Sequence, residues 1–232
     1  MRLDKYLAGC GFGTRKEVKA LIKKGAAAVN GVTGTDAGAN IRPGDTVTVN
    51  GVPAVYREFV YIMMNKPAGY ISATEDRHYP VVTELLDDGY RRFDPAPAGR
   101  LDIDTEGLLI LTNDGQLNHS LTSPSKNVYK TYFAVLDSEA DEADAEVFKS
   151  GMEFKDFTAK SAVLELCENR KEVFIKISEG KFHQVKRMCA RIGKNVEYLK
   201  RVAVGELRLD ESLAPGEYRE LTEEELNILR SC

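Results

Sequence analysis

Between Gly99 and Gly115 the chain reads GRLDIDTEGLLILTNDG, which sets Arg100, Asp102, Asp104 and Thr105 in one glycine-bounded loop ahead of an apolar run. Polar side chains on a loop carried by a rigid strand are a common way to present catalytic groups. Asp102 and Asp104 lie two residues apart and could act as nucleophile or general base, or could simply bond backbone amides in an Asx-type turn. A glycosidase pair is a third reading, but it needs carboxyl groups about 5 Å or more apart, serving opposite faces of one sugar. From this segment alone the turn and the catalytic reading stand level. Other chemistries find no support. Gly9, Gly11 and Gly13 form GxGxG with no preceding strand and no following Lys-Ser/Thr, so they read as turn glycines. His78, His119 and His183 are isolated, none lying three or four residues from another ligand in a metal pattern, and no metal site is expected. Cys10, Cys167, Cys189 and Cys232 form no CxxC pair and read as free thiols; no GxSxG elbow is present.

The elements that must carry this loop follow from periodicity. Leu3, Tyr6 and Leu7 share a helical face, and TRKEVKALIKKG predicts a second helix capped by Thr14, with Val18, Leu21 and Ile22 inward and Arg15, Lys16, Lys19 and Lys23 outward. AAVNGV predicts a strand closing in a tight Asn30-Gly31 turn, and Val47 and Val49 a further strand. FVYIMMNKPAGY then reads as a buried strand that opens a second domain. LLILTNDG, YKTYFAVL and SAVLELCENRKEVFIKIS supply more strands, KFHQVKRMCARIG a helix, and LTEEELNILR a capped terminal helix. The expected architecture is α+β, with a small domain over 1–58 and a mixed, mostly antiparallel sheet domain over 59–232.

The 232 residues are 43% hydrophobic and 29% charged, which excludes disordered and collagen-like chains. No apolar run approaches the ~18 residues that cross a bilayer and no signal peptide appears, so no membrane association and a cytoplasmic protein are expected, and a monomer is expected as well. The net charge of −4 argues against a nucleic-acid partner only as an average. Residues 1–58 hold nine basic and five acidic side chains, whereas 59–232 hold 23 and 31, so the acidity belongs to the larger part. There six acids crowd 137–146, while 179–201 carries seven basic residues against two acidic ones. Two separate basic segments point to a polyanion.

Four segments in this order resemble one family. GRLDIDTEGLLILTNDG is similar to the central motif of pseudouridine synthases of the RsuA group, NKPAGY (65–70) to their first motif, VYKTYFAVL (128–136) to their tyrosine motif and SEGKFHQVKRM (178–188) to their basic motif. Residues 1–58 resemble the alpha-L RNA-binding fold that these synthases carry. RLDIDT, HQVKRM and APGEYRELTEEE are closest to the branch acting on the small-subunit (16S) ribosomal RNA; large-subunit relatives show a different basic motif. The resemblance implies an isomerase that converts uridine to pseudouridine by breaking the N1–C1′ bond, rotating the free uracil and joining C5 to C1′. It needs no cofactor or metal. Asp102 matches the essential aspartate, Tyr132 the tyrosine against the target base and Lys186 the basic partner of the aspartate, a position where many branches have arginine. Arg187 is the substitute partner, Asp104 a structural residue and Tyr129 a core or surface one. Lysine lacks the arginine fork and shifts its pKa more readily, which makes the difference chemically real. Arg2, Arg15, Lys16, Lys19, Lys23, Arg100, Lys181 and Arg187 are the expected RNA contacts. The implied partner is 16S rRNA in a partly assembled small subunit. A target atom hidden in a stacked helix requires the nucleotide to be flipped out, at a cost of a few kcal/mol. Competing readings are a synthase acting on large-subunit rRNA and a non-catalytic assembly factor.

Overall fold

The computed structural model describes residues 1–34 and 36–232, which form two compact units. The first comprises Met1–Val60 with Asp87–Asp94. Helix α1 (Leu3–Gly9) and helix α2 (Arg15–Lys23) are followed by strands β1 (Ala27–Val29), β2 (Val32–Thr33), β3 (Val47–Val49) and β4 (Val52–Pro53), ordered β2-β1-β3-β4. The Thr14 hydroxyl accepts from the Glu17 amide while Glu17 reaches back to the Thr14 amide, a capping box that fixes the start of α2. Asn30-Gly31 and Asn50-Gly51 all adopt positive φ, as two-residue hairpin turns demand, and Asn-Gly is the pair that tolerates it. Leu3, Leu7, Val18, Ile22, Ala27, Val47 and Val49 make the core. The short helix α3 (Asp88–Arg91) packs with this unit, although 87–94 lie within the sequence of the other.

The second unit, Tyr61–Leu86 with Pro95–Cys232, is built on one sheet. Its strands are β5 (Tyr61–Lys66), β6 (Ala96–Pro97), β7 (Glu106–Thr112) and β8 (Lys130–Leu136). A small pair, β9 (Met152–Glu153) and β10 (Thr158–Ala159), stands apart, and the sheet continues with β11 (Val163–Leu166), β12 (Glu172–Ile177), β13 (Val196–Val204), β14 (Leu207–Arg208) and β15 (Tyr218–Glu220). The order is β11-β12-β8-β13-β7-β5-β15, with β14 on β13 and β6 on β7; β13 and β7 run parallel and every other pair is antiparallel. The sheet is therefore mixed and mostly antiparallel, as expected of the α+β reading.

Helices α4 (Gly115–Thr122), α5 (Glu142–Ser150), α6 (Gln184–Arg191) and α7 (Glu223–Arg230) complete the unit. Met63, Leu108 and Ile110 of the sheet pack with Leu117 and Leu121 of α4 and Leu226 and Leu229 of α7. The acidic run 137–146 has a local purpose, since Asp141 and Asp144 form the capping box of α5 and place negative charge at its positive end. Among the described residues no helix is long and apolar enough to cross a membrane.

One clamp secures the C-terminal end. Arg219 donates to Asp210 at 2.7 Å and to both oxygens of Glu225 at 2.8 Å, tying β15 to the turn before it and to α7. Hydrogen bonds from Ser212 and then from Arg219 hold the Asp210 carboxyl at about 2. A carboxyl with a depressed folded-state pKa contributes stability above its ordinary value and loses it as pH falls through the folded value. Asp210→Asn should therefore be less stable than the wild type at pH 7, and urea denaturation curves of the two should converge as pH drops from about 4 towards 2.

Candidate active site

The loop 99–105 reaches its position through a close approach of strands. Gly107 pairs with Arg201 across the parallel β7–β13 contact at φ 101, and a Cβ there would collide with the Arg201 carbonyl oxygen. Only glycine lets the two backbones meet so closely. Tyr132 on β8 is the register partner of Arg201, so the aspartate loop and the tyrosine strand are joined through β13.

A second clamp comes from the NKPAGY segment. Lys66 is fully buried, and its ammonium donates to the carbonyls of Pro67 (2.9 Å), Asp102 (3.1 Å), Ile103 (3.4 Å) and Thr105 (2.8 Å). Burial pushes Lys66 down to about 8 against the pull of Asp104, Glu106 and Asp102. The Ser72 hydroxyl serves Leu101 twice, accepting from its amide at 3.0 Å and donating to its carbonyl at 3.1 Å, and the Gly69 amide donates to the Ile103 carbonyl at 2.7 Å. The loop backbone is thus satisfied by the first motif, which leaves the Asp102 side chain free to face the cavity.

That cavity is bordered by Arg100, Asp102, Tyr132, Lys181, His183 and Lys186 together with the apolar Ile177, Val185 and Leu199. Asp102 is 28% exposed and Tyr132 is buried. Lys186, in the first turn of α6, stands 3.6 Å from Asp102 Oδ2 and hydrogen-bonds Asp104 Oδ1 at 2.5 Å. Burial works to raise Asp104, but the hydrogen bond and charge of Lys186 outweigh it and hold the carboxyl below its usual range. His183 Nε2 lies 3.8 Å from Asp102 Oδ1, and its ring stacks on the exposed Phe182 with centroids 3.8 Å apart. His183 begins α6 in a left-handed conformation, φ 51, which turns it toward the loop. Gln184 stiffens this corner by accepting from the Lys181 amide and donating to Glu179.

Several expectations are sharpened. Lys186 stands beside Asp102, whereas Arg187 does not: it grips Asp156 with two bonds, at 3.0 and 2.5 Å, and lies over Phe154 and Phe157. Successive helical residues point about 100° apart, so only one of the two could face the loop. Asp104, expected to be purely structural, is the closer partner of Lys186, because a two-residue step on this turn leaves both carboxylates on one side. Tyr129 is half exposed rather than buried. His183 and Lys66 were not singled out from the sequence; the placement of His183 one helical turn before Lys186 was the available signal. In the first unit Arg15, Lys16 and Lys23 are exposed on α2. Arg2 and Lys19 are exposed too, and they also share the buried Asp4, at 3.0 and 3.8 Å.

Comparison with known proteins gives the family. A family model described as RNA pseudouridylate synthase matches residues 60–191, and the S4 domain model matches 1–47. The chain belongs to the RNA pseudouridine synthases. It is 50% identical to an RNA pseudouridine synthase of Bacillus subtilis, described as uncharacterized, over 99% of this chain and 98% of the relative. It is 41% identical to the ribosomal small subunit pseudouridine synthase A of Escherichia coli, over 97% and 98%. A crystal structure of a pseudouridylate synthase superposes with a TM-score of 0.70 at 35% identity, covering 99% of both chains. The synthase thus carries an N-terminal S4 RNA-binding domain ahead of its catalytic domain, and its reaction is the isomerisation of uridine in RNA.

Proposed function

We propose that this synthase converts a uridine of 16S rRNA to pseudouridine in a partly assembled small subunit, with Asp102 acting at C1′, Tyr132 against the uracil and Lys186 as the cation beside Asp102. The observation that carries the reading is the convergence on one cavity of three side chains from three elements, a carboxylate, a buried ring and an ammonium. The reaction needs these groups. A carboxylate must act where the glycosidic bond breaks, and a pocket must keep the detached base from leaving while it turns. Lys186 balances the negative charge of the loop, and His183 stands at the rim. The small-subunit name of the Escherichia coli relative, matched over nearly its full length, favours 16S over 23S rRNA.

Mapping pseudouridine by carbodiimide-dependent reverse-transcription stops in cells with and without this protein tests the target. One 16S stop should vanish with the gene; loss of a 23S stop instead would identify a large-subunit enzyme, and unchanged patterns would reject the modification role.

Residues 1–58 would dock the RNA through phosphates, which fix position more than sequence. Lys16, Lys19 and Lys23 are all exposed, but Lys19 also reaches Asp4 at 3.8 Å. Lys16→Glu with Lys23→Glu should weaken rRNA binding by about tenfold or more and flatten its salt dependence. Lys19→Glu alone should do less. Filter-binding titrations over a salt series compare them, and equal affinities would remove α2 from the interface.

A further inference from the structure

A second cavity of about 260 Å³ adjoins the base cavity and shares Arg100, Tyr132, Gly180 and Lys181 with it. Its other lining includes Lys130, Glu179 and Arg201. Four cations thus surround this space with a single acid, and Glu179 Oε1 is already engaged by the Lys160 amide and the Gln184 side chain. Lys130 and Tyr132, two residues apart on β8, share a face of the sheet, and Arg201 is the cross-strand partner of Tyr132. The two cations are close enough for Arg201 to act on Lys130, which burial first and then Arg201 push down to about 8.

Their partners are missing. Arg201 is 97% buried by its 3% exposure; its Nε donates to the Leu108 carbonyl at 2.8 Å, but Nη2 has no acceptor. Among the described residues no hydrogen bond or ion pair links the ammonium of Lys130 to any side chain, and Arg100 and Lys181 stand exposed at the cavity wall. A buried donor without an acceptor and two like charges held together both cost stability. An anion in the cavity relieves both costs at once.

We propose that this cavity seats the phosphodiester adjoining the flipped uridine, gripped by Lys130 and Lys181 above the fixed charge of Arg201. The inference rests on the uridine-isomerase reading, because the shared wall at Arg100 and Tyr132 places this anion site one step along the same RNA strand from the base pocket. Tyr132 then divides the two chambers, with the base on one side and the backbone on the other. Holding the backbone there offsets part of the cost of flipping the nucleotide and leaves the ribose presented to Asp102.

Randomly ethylated 16S rRNA, in which single phosphates are neutralised, tests this with wild-type protein and with Lys130→Met and Lys130→Arg. Lys130→Met keeps the stem and removes the charge. It should raise KM by about tenfold with turnover of bound RNA within about twofold, and should lower the slope of log affinity against log salt by about 0.7. Lys130→Arg should restore both. Ethylation of a phosphate flanking the modified uridine should raise the wild-type KM by a similar factor and add little to the defect of Lys130→Met. If Lys130→Met fails to fold, Lys181→Met and the wild-type interference pattern carry the same expectations. Tolerance of ethylation at both flanking phosphates by wild-type protein that forms pseudouridine would overturn this site alone. Absence of pseudouridine from all wild-type reactions would instead overturn the reading on which it rests.

Discussion

Asp102→Asn should abolish pseudouridine formation, lowering tritium release from RNA labelled at uracil C5 by about 10³-fold or more while leaving RNA affinity within a fewfold of wild type. The substitution keeps the shape and removes the charge that, in the proposed function, acts at C1′. It should not disturb the loop, because that loop is held through backbone groups: the Asp102 carbonyl stays on Lys66, Ser72 still serves Leu101 and Gly69 still bonds Ile103. Lys186 keeps its hydrogen bond to Asp104, so the ammonium is not left without a partner. Intact folding and binding with lost chemistry is the signature of a group that touches the reacting atoms. Turnover near the wild-type rate would show that Asp102 is a turn residue and that the chemistry lies elsewhere.

Lys66→Met should have the largest effect on stability, about 3 to 5 kcal/mol by urea denaturation. Methionine matches the volume but donates nothing, and four carbonyl oxygens around a fully buried ammonium lose a shared partner. Three of those carbonyls belong to the segment 102–105, so the same change should loosen the Asp102 loop and lower turnover even at temperatures where the variant is folded. A midpoint equal to that of the wild type would mean that the cage contributes no net stability.

These two residues mark where reading the chain succeeds and where it stops. The helices α1, α2, α6 and α7 and the longer strands were legible because their signals are local: Thr14 and Thr222 announce capping boxes, Asn30-Gly31 announces a hairpin and β7 is a run of apolar residues. Helices α3, α4 and α5 were not read from the sequence. Asp102, Tyr132 and Lys186 could be nominated by motif, since each lies in a contiguous stretch. The sheet order could not be read. β13 enters between β8 and β7, and it is this insertion that brings Lys186 to a loop 82 residues earlier and sets Arg201 beside Tyr132.

The sequence alone determined which chemistry was available: a loop carboxylate, a tyrosine, a lysine and two basic segments in a chain whose average charge is acidic. The tertiary structure decided how those groups are shared. Lys186 could have faced either carboxylate and lies between both; Arg187 was drawn away to Asp156 by its direction on the helix. Lys66, an ordinary surface-type residue by composition, became the anchor of the loop, and Lys130 with Arg201 became a cationic cavity. Such roles depend on burial and on which partners remain after packing, and neither quantity is a property of local sequence.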